Sequence, residues 1–184
     1  FKQTQGGSSM SHRHYSIKEN EIPKINSRLL SISLSKDEKD WPSVLHTHPF
    51  TEIFFVLNGK GNFFFRRDIR PIETGDLIII PPYLEHTEQS IPGTPLEYYV
   101  LGIDGIAFQE EDQSSTAQIF CNFDNVSLIR DLFAQIHYEM KSGGYGAELI
   151  CQHLLEILIL RILRSSRQLV PVSINTVRMT KECA

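Results

Sequence analysis

Residues 46–65 read HTHPFTEIFFVLNGKGNFFF, and the strand pattern of the whole chain is clearest here. Residues 51–57 (TEIFFVL) are dense in aromatic and β-branched side chains and read as a strand. Asn58-Gly59 follows, and residues 61–65 return as a second apolar run. An Asn-Gly pair between two such runs predicts a β-hairpin, because a tight turn needs positive φ there. The head of the stretch carries metal-ligand side chains. His46 and His48 are two apart and Glu52 has the same parity, so on one continuous strand the three share a side. Phe54 and Val56 continue that parity and should face the interior, either as an apolar pocket lining or simply as core.

Outward from this stretch, the signals remain those of short strands. In residues 28–35 (RLLSISLS), Leu30, Ile32 and Leu34 alternate with Ser31, Ser33 and Ser35, the period of a half-buried strand. Gly75-Asp76 reads as a turn before residues 77–80 (LIII), which Pro81-Pro82 stops, and residues 96–103 (LEYYVLGI) form another strand. Short strands punctuated by Gly, Pro and Asn indicate an antiparallel sandwich or barrel. His86 must reach the other ligands from elsewhere in the fold. Three imidazoles and one carboxylate suit Zn, Ni, Fe, Mn or Cu, with positions left for water or substrate.

After residue 124 the apolar period changes from 2 to 3.6. Ile129, Leu132, Phe133, Ile136 and Met140 predict one amphipathic helix, with Asp124, Asn125 or Ser127 as its cap and Gly143-Gly144 as its stop. A second helix is predicted over residues 147–164 with two apolar stripes. Cys151, Leu154, Leu155, Leu158 and Ile162 form one; Leu149, Ile157 and Leu160 form the other, on the side that carries His153. A helix apolar on two sides is buried or has a second partner.

The 184 residues carry 18 Lys plus Arg against 22 Asp plus Glu, a net charge of −4, which argues against nucleic-acid binding by this chain alone. Three scattered cysteines without a CxxC pair point to reduced thiols and a cytoplasmic protein. The most apolar stretch, residues 154–163, carries Glu156 and Arg161 and is too short to span a bilayer, so no membrane association is expected.

The spacing of the two segments resembles that of the cupin motifs. His46, His48, Glu52 and Gly59 fit the first; Gly75, Pro81 and His86 fit the second, with Tyr83 where the family commonly has Gly and Ser90 where it often has Asn. The resemblance implies mainly β structure with C-terminal helices: a cupin (double-stranded β-helix or jelly-roll) barrel followed by an antiparallel α-helical hairpin. It places His46, His48, Glu52 and His86 at a metal position in the barrel mouth. They hold either a divalent transition metal or serve as metal-free polar lining. Trp41 and Tyr83 are placed near the mouth with Phe54 and Val56, Trp41 as a lid or a core residue.

The order of barrel, two helices and linker, together with the text HTHPFTEIFFVLNGKGNFFF and ETGDLIIIPPYLEHT, resembles the N-terminal half of AraC-type transcription regulators over residues 28–170. That resemblance implies a small effector such as a sugar or aromatic compound in the barrel. It implies a homodimer through the helices, with Leu149, His153, Ile157 and Leu160 at the interface, and DNA contact only through a further C-terminal helix-turn-helix domain. Residues 1–24 are then a tag remnant and arm, 25–123 the barrel, 124–166 the dimerisation hairpin and 167–184 the start of a linker. The competing expectation is a stand-alone metal-dependent cupin enzyme, a dioxygenase, isomerase or decarboxylase. It has an intact ligand set but no second acid–base pair assignable from sequence, so a non-enzymatic sensor is favoured.

Overall fold

The computed structural model describes residues 14–16, 25–36, 43–110, 118–120, 125–166 and 169–174. Its elements in chain order are β1 (Arg28–Ser35), β2 (Thr51–Asn58), β3 (Lys60–Phe65), β4 (Asp68–Glu73), β5 (Leu77–Ile80), β6 (His86–Ser90), β7 (Glu97–Asp104), β8 (Ile106–Glu110), β9 (Gln118–Phe120), α1 (Val126–Ser142), α2 (Ala147–Ser165) and β10 (Leu169–Ser173). A five-stranded sheet runs β1-β7-β2-β5-β9, a three-stranded sheet β4-β3-β6, and β10 pairs with β8. Every pairing is antiparallel. The architecture is mainly β with two C-terminal helices.

The five-stranded sheet is buried on both faces. Ile53, Phe55, Leu77, Ile79, Tyr99 and Leu101 point to one core, shared with Phe133 and Ile136 of α1 and Leu155, Leu158 and Ile162 of α2. Phe54, Val56, Ile78, Ile80 and Tyr98 point to the other, against Phe63, Phe65 and Ile72 of the three-stranded sheet. This double burial is why residues 51–57 and 77–80 read as apolar runs rather than as alternation. Among the described residues, no helix is long and apolar enough to cross a membrane.

The structure corrects four local expectations. Asn58-Gly59 does not close a hairpin: β2 pairs with β5 and β7, while β3 pairs with β4 and β6. Gly59 (φ +91°) instead carries the chain from one sheet to the other, and a Cβ there would lie 2.0 Å from the Pro95 carbonyl oxygen. In β1, a register shift between Leu29 and Ser31 inverts the phase, so Leu29 packs on the core and Leu30 is exposed. Asn125 stands at the start of α1 in the left-handed conformation, and its side chain caps nothing; Asp124 lies outside the described residues. Residues 169–173, expected within the linker, form β10, because Leu169 buries itself in the helix-side core as the strand pairs with β8. Residues 175–184 lie outside the described residues, as do Trp41, Cys121 and most of residues 1–24.

Candidate metal centre and ligand cavity

Three strand ends meet at one mouth of the sandwich. Glu52 lies near the start of β2, opposite Ile80 at the end of β5. Pro81-Pro82 stop β5, since proline cannot donate to the ladder. Tyr83 turns the chain at φ +63°, supplying with a tyrosine the conformation that glycine commonly provides, at about 1–2 kcal/mol. Its N–H donates to the His48 carbonyl (2.8 Å), tying the two ligand segments together. His46 and His86 then exchange backbone hydrogen bonds (3.1 and 3.0 Å) as an isolated antiparallel bridge. The segment 46–52 is not one continuous strand, so tertiary pairing, rather than parity along a strand, gathers the ligands.

One candidate ligand atom from each of His46, His48, Glu52 and His86 lies within 4.8 Å of the others. The Nδ1 atoms of the three imidazoles face backbone carbonyls: His46 to Val44 (3.0 Å), His48 to Phe50 (2.7 Å) and His86 to Leu84 (2.8 Å). A carbonyl oxygen only accepts, so each Nδ1 carries a proton and each ring turns its Nε2 towards the cluster, where the deprotonated nitrogen offers a lone pair. The same arrangement fixes ring orientation in metal-binding histidines. His48 Nε2 is buried and forms no hydrogen bond of good geometry, although Glu52 Oε2 lies 3.0 Å away. A cation satisfies that orphaned atom, so the donor set fits a transition metal and these four residues can hold one.

Electrostatics supports the same reading. Burial alone raises the Glu52 carboxyl, yet the close approach of the His48 and His86 imidazoles outweighs it and holds the pKa at about 2. Burial opposes charge on His86, but Glu52, 3.4 Å from its Nε2, and the Leu84 carbonyl push its pKa upward. A carboxylate held ionised beside an imidazole whose pKa is raised favours positive charge at this point.

Neighbours hold the centre in place. Phe50 stacks on His48, with ring centroids 4.4 Å apart. Gly102 makes room for that ring, since a Cβ there would lie 3.1 Å from Phe50. Phe63 stacks on His86 at 5.8 Å.

A cavity of about 240 Å³ opens beside the centre. His46, Glu52 and His86 line it, with Phe54 and Val100 as apolar wall and Glu88, Tyr98, Ser33 and Ser35 as further polar lining. Of the pocket residues expected from sequence, Phe54 borders the cavity. Val56 is fully buried in the sandwich core and does not border it. Tyr83 is 71% exposed because its left-handed turn directs the side chain outward, and it does not line the cavity. Sequence reasoning missed Glu88, Tyr98, Ser33 and Ser35. Only the alternation His86, Glu88 along one strand face could have flagged the first. Far from the mouth, Leu149, Ile157 and Leu160 are exposed on α2 with His153 among them.

The family model for the AraC-like ligand-binding domain matches residues 32–163. No curated protein matches the chain. Among solved structures, it is similar to a cupin-like protein of Thermotoga maritima, at 21% identity over 39% of this chain and 65% of that one, with a TM-score of 0.32. A cupin protein of Bacteroides fragilis is similar at 14% identity over 56% of this chain and 89% of that one (TM-score 0.34). The apo form of a ToxT variant from Vibrio cholerae is similar at 7% identity over 79% of this chain and 58% of that one (TM-score 0.49). The chain thus spans just under two thirds of the length of the Thermotoga protein and less of ToxT.

Proposed function

The chain belongs to the family of AraC-like ligand-binding domains, and on that footing we propose that it is the sensing and dimerisation half of a cytoplasmic transcription regulator. A small effector occupies the cavity beside His46, Glu52 and His86, and a Zn, Ni, Fe or Mn ion on the four ligands helps to hold it. Two copies associate through the exposed row of Leu149, His153, Ile157 and Leu160 on α2. DNA is contacted by a separate helix-turn-helix domain rather than by this acidic barrel. The observation that carries the reading is the cavity itself: a polar, partly enclosed space in the barrel of a domain whose family binds ligands.

The coupling follows from the packing. Strand β2 lines the cavity with Glu52 and Phe54 and touches the helix-side core with Ile53 and Phe55. A ligand that shifts β2 therefore biases α1 and α2, and with them the spacing of the two DNA-contacting heads. Light scattering tests the dimer. Joint replacement Leu149→Glu, Ile157→Glu and Leu160→Glu should yield a monomer; an unchanged mass would place the interface elsewhere. Amide exchange tests the coupling. A cavity ligand should change protection in α1 and α2, and an effect confined to the barrel would break the proposed relay.

A further inference from the structure

We propose that the outer face of the three-stranded sheet carries a second binding site, separate from the barrel cavity. It takes a small monocarboxylate with an apolar body, held by Arg66, Arg67 and Thr87. The inference goes beyond the effector reading and does not rest on it.

Strand β6 has two working faces. His86 and Glu88 line the barrel cavity, so Thr87 between them and Gln89 beyond them point to the opposite side. The register carries this face across the sheet. Thr87 pairs with Phe64 of β3, and Phe64 pairs with Ile69 of β4. With Leu45 and the Arg66-Arg67 turn that joins β3 to β4, this row lines a groove of about 370 Å³.

Two features of the groove are unexplained by folding alone. Thr87 is 7% exposed, and its Oγ1 is buried with no hydrogen-bond partner among the described residues. A buried hydroxyl left unpaired is costly, and a ligand oxygen supplies the acceptor it lacks. A rotamer change of Gln89, its exposed neighbour on the same face, is the kind of adjustment that admits a ligand atom. The second feature is the turn. Arg66 is left-handed (φ +54°), a conformation that Asn, Asp or Gly adopts at less cost, so the turn itself does not ask for arginine. The Arg66 N–H donates to the Glu85 carbonyl (3.2 Å), which fixes the turn beside the start of β6. Two arginines thus stand at one end of a groove in a chain whose net charge is −4.

Charge and surface narrow the class. Arg66 and Arg67 are opposed by Asp68 alone among the described lining residues, so the groove carries one net positive charge. A carboxylate balances it and matches the fork of a guanidinium. A phosphate monoester, close to doubly charged at neutral pH, exceeds that balance and meets Asp68. Leu45 and Ile69 are 50% and 59% exposed and, with Phe64, offer an apolar wall to the body of the ligand. The barrel cavity, lined by Glu52 and Glu88, disfavours the same ligand, so the two sites select by charge.

Amide NMR titration of the full chain tests this, with the protein stripped of metal so that the imidazole cluster offers no ion to a carboxylate. The probes are benzoate and cyclohexanecarboxylate, set against benzyl alcohol, phenyl phosphate and benzylamine. The carboxylates should shift the amides of Phe64, Arg67 and Thr87 and leave Ser33 and Val100 of the barrel unmoved. Joint replacement Arg66→Gln and Arg67→Gln should weaken binding more than tenfold, and Asp68→Asn should tighten it. Thr87→Val should weaken it about fivefold, the worth of one hydrogen bond. The same variant should not lower the urea midpoint of the free chain, because it removes a hydroxyl that had no partner, so its weaker binding is not a loss of fold. Shifts confined to Ser33 and Val100, or binding unchanged by the arginine replacements, would overturn the site and leave the effector reading standing. Benzyl alcohol, phenyl phosphate or benzylamine binding the groove as tightly as benzoate would overturn the monocarboxylate class. Binding of neither carboxylate would overturn the proposal without bearing on the barrel.

Discussion

The two faces of β2 are built from alternate residues of one eight-residue strand, yet they differ in kind. Ile53 and Phe55 enter a core closed by two helices, where Phe133 stacks on Phe55 at 5.4 Å and on Tyr99 at 5.8 Å. Glu52, Phe54 and Val56 enter the space between the two sheets, where apolar packing gives way near the mouth to a cavity and four polar side chains that could hold a metal. The first face has only contacts to lose. The second holds buried polar atoms whose satisfaction depends on what binds there. Stability and function are thus separated by a single residue of register.

The largest effect that can sharpen this comparison comes from the helix side. Phe133→Ala should cost about 3–5 kcal/mol in urea unfolding, whereas Phe54→Ala, which already borders empty space, should cost clearly less. Equal costs would erase the distinction between a closed core and an open one.

The next effect belongs to the cavity side. Zinc at a hundredfold excess over its Kd should stabilise the wild-type chain by about 2.7 kcal/mol. His46→Ala combined with His86→Ala should abolish that gain and the bound metal. Metal retained by the double variant would place the site elsewhere, and the helix-side core should be indifferent to both treatments.

The smallest effect is a pH dependence in the presence of a chelator. Glu52 titrates at about 2 in the folded chain against an ordinary 4.5. Its contribution is therefore complete above about pH 4.5 and is lost as pH falls towards 2. His86 acts with the opposite sign: raised above its ordinary 6.5, it stabilises fully below that value and loses its contribution as pH rises through the folded pKa. Glu52→Gln should flatten the acid limb in urea midpoints measured from pH 2 to 5. An unchanged limb would show that the cluster does not control it.

Much of this was legible residue by residue. The β2, β5 and β7 runs, both helices and the clustering of His46, His48, Glu52 and His86 were readable because each is signalled by a local period, a breaker or a motif spacing. The misreadings share a cause. Asn58-Gly59 supplies positive φ equally well to a hairpin and to a crossing between sheets, and only the pairing partners of β2 and β3 distinguish the two. Leu29 and Leu30 are adjacent and both apolar, so the bulge that buries one and exposes the other leaves no trace in composition. Residues 169–173 look like linker around Pro171 because their strand is justified by a partner about sixty positions earlier.

Which residue types can act here, and where the mouth of the barrel lies, can be read from short stretches of the chain. Imidazole and carboxylate spacing, proline stops and alternating polarity are all written within a few neighbouring positions. That Glu88, Tyr98, Ser33 and Ser35 share a cavity with those side chains, and that Tyr83 and Val56 do not, emerges only once the strands are assembled. The physical reason is that a cavity is made where strands distant in sequence fail to fill the space between two sheets. Its lining is set by non-local register, which no stretch of chain carries alone.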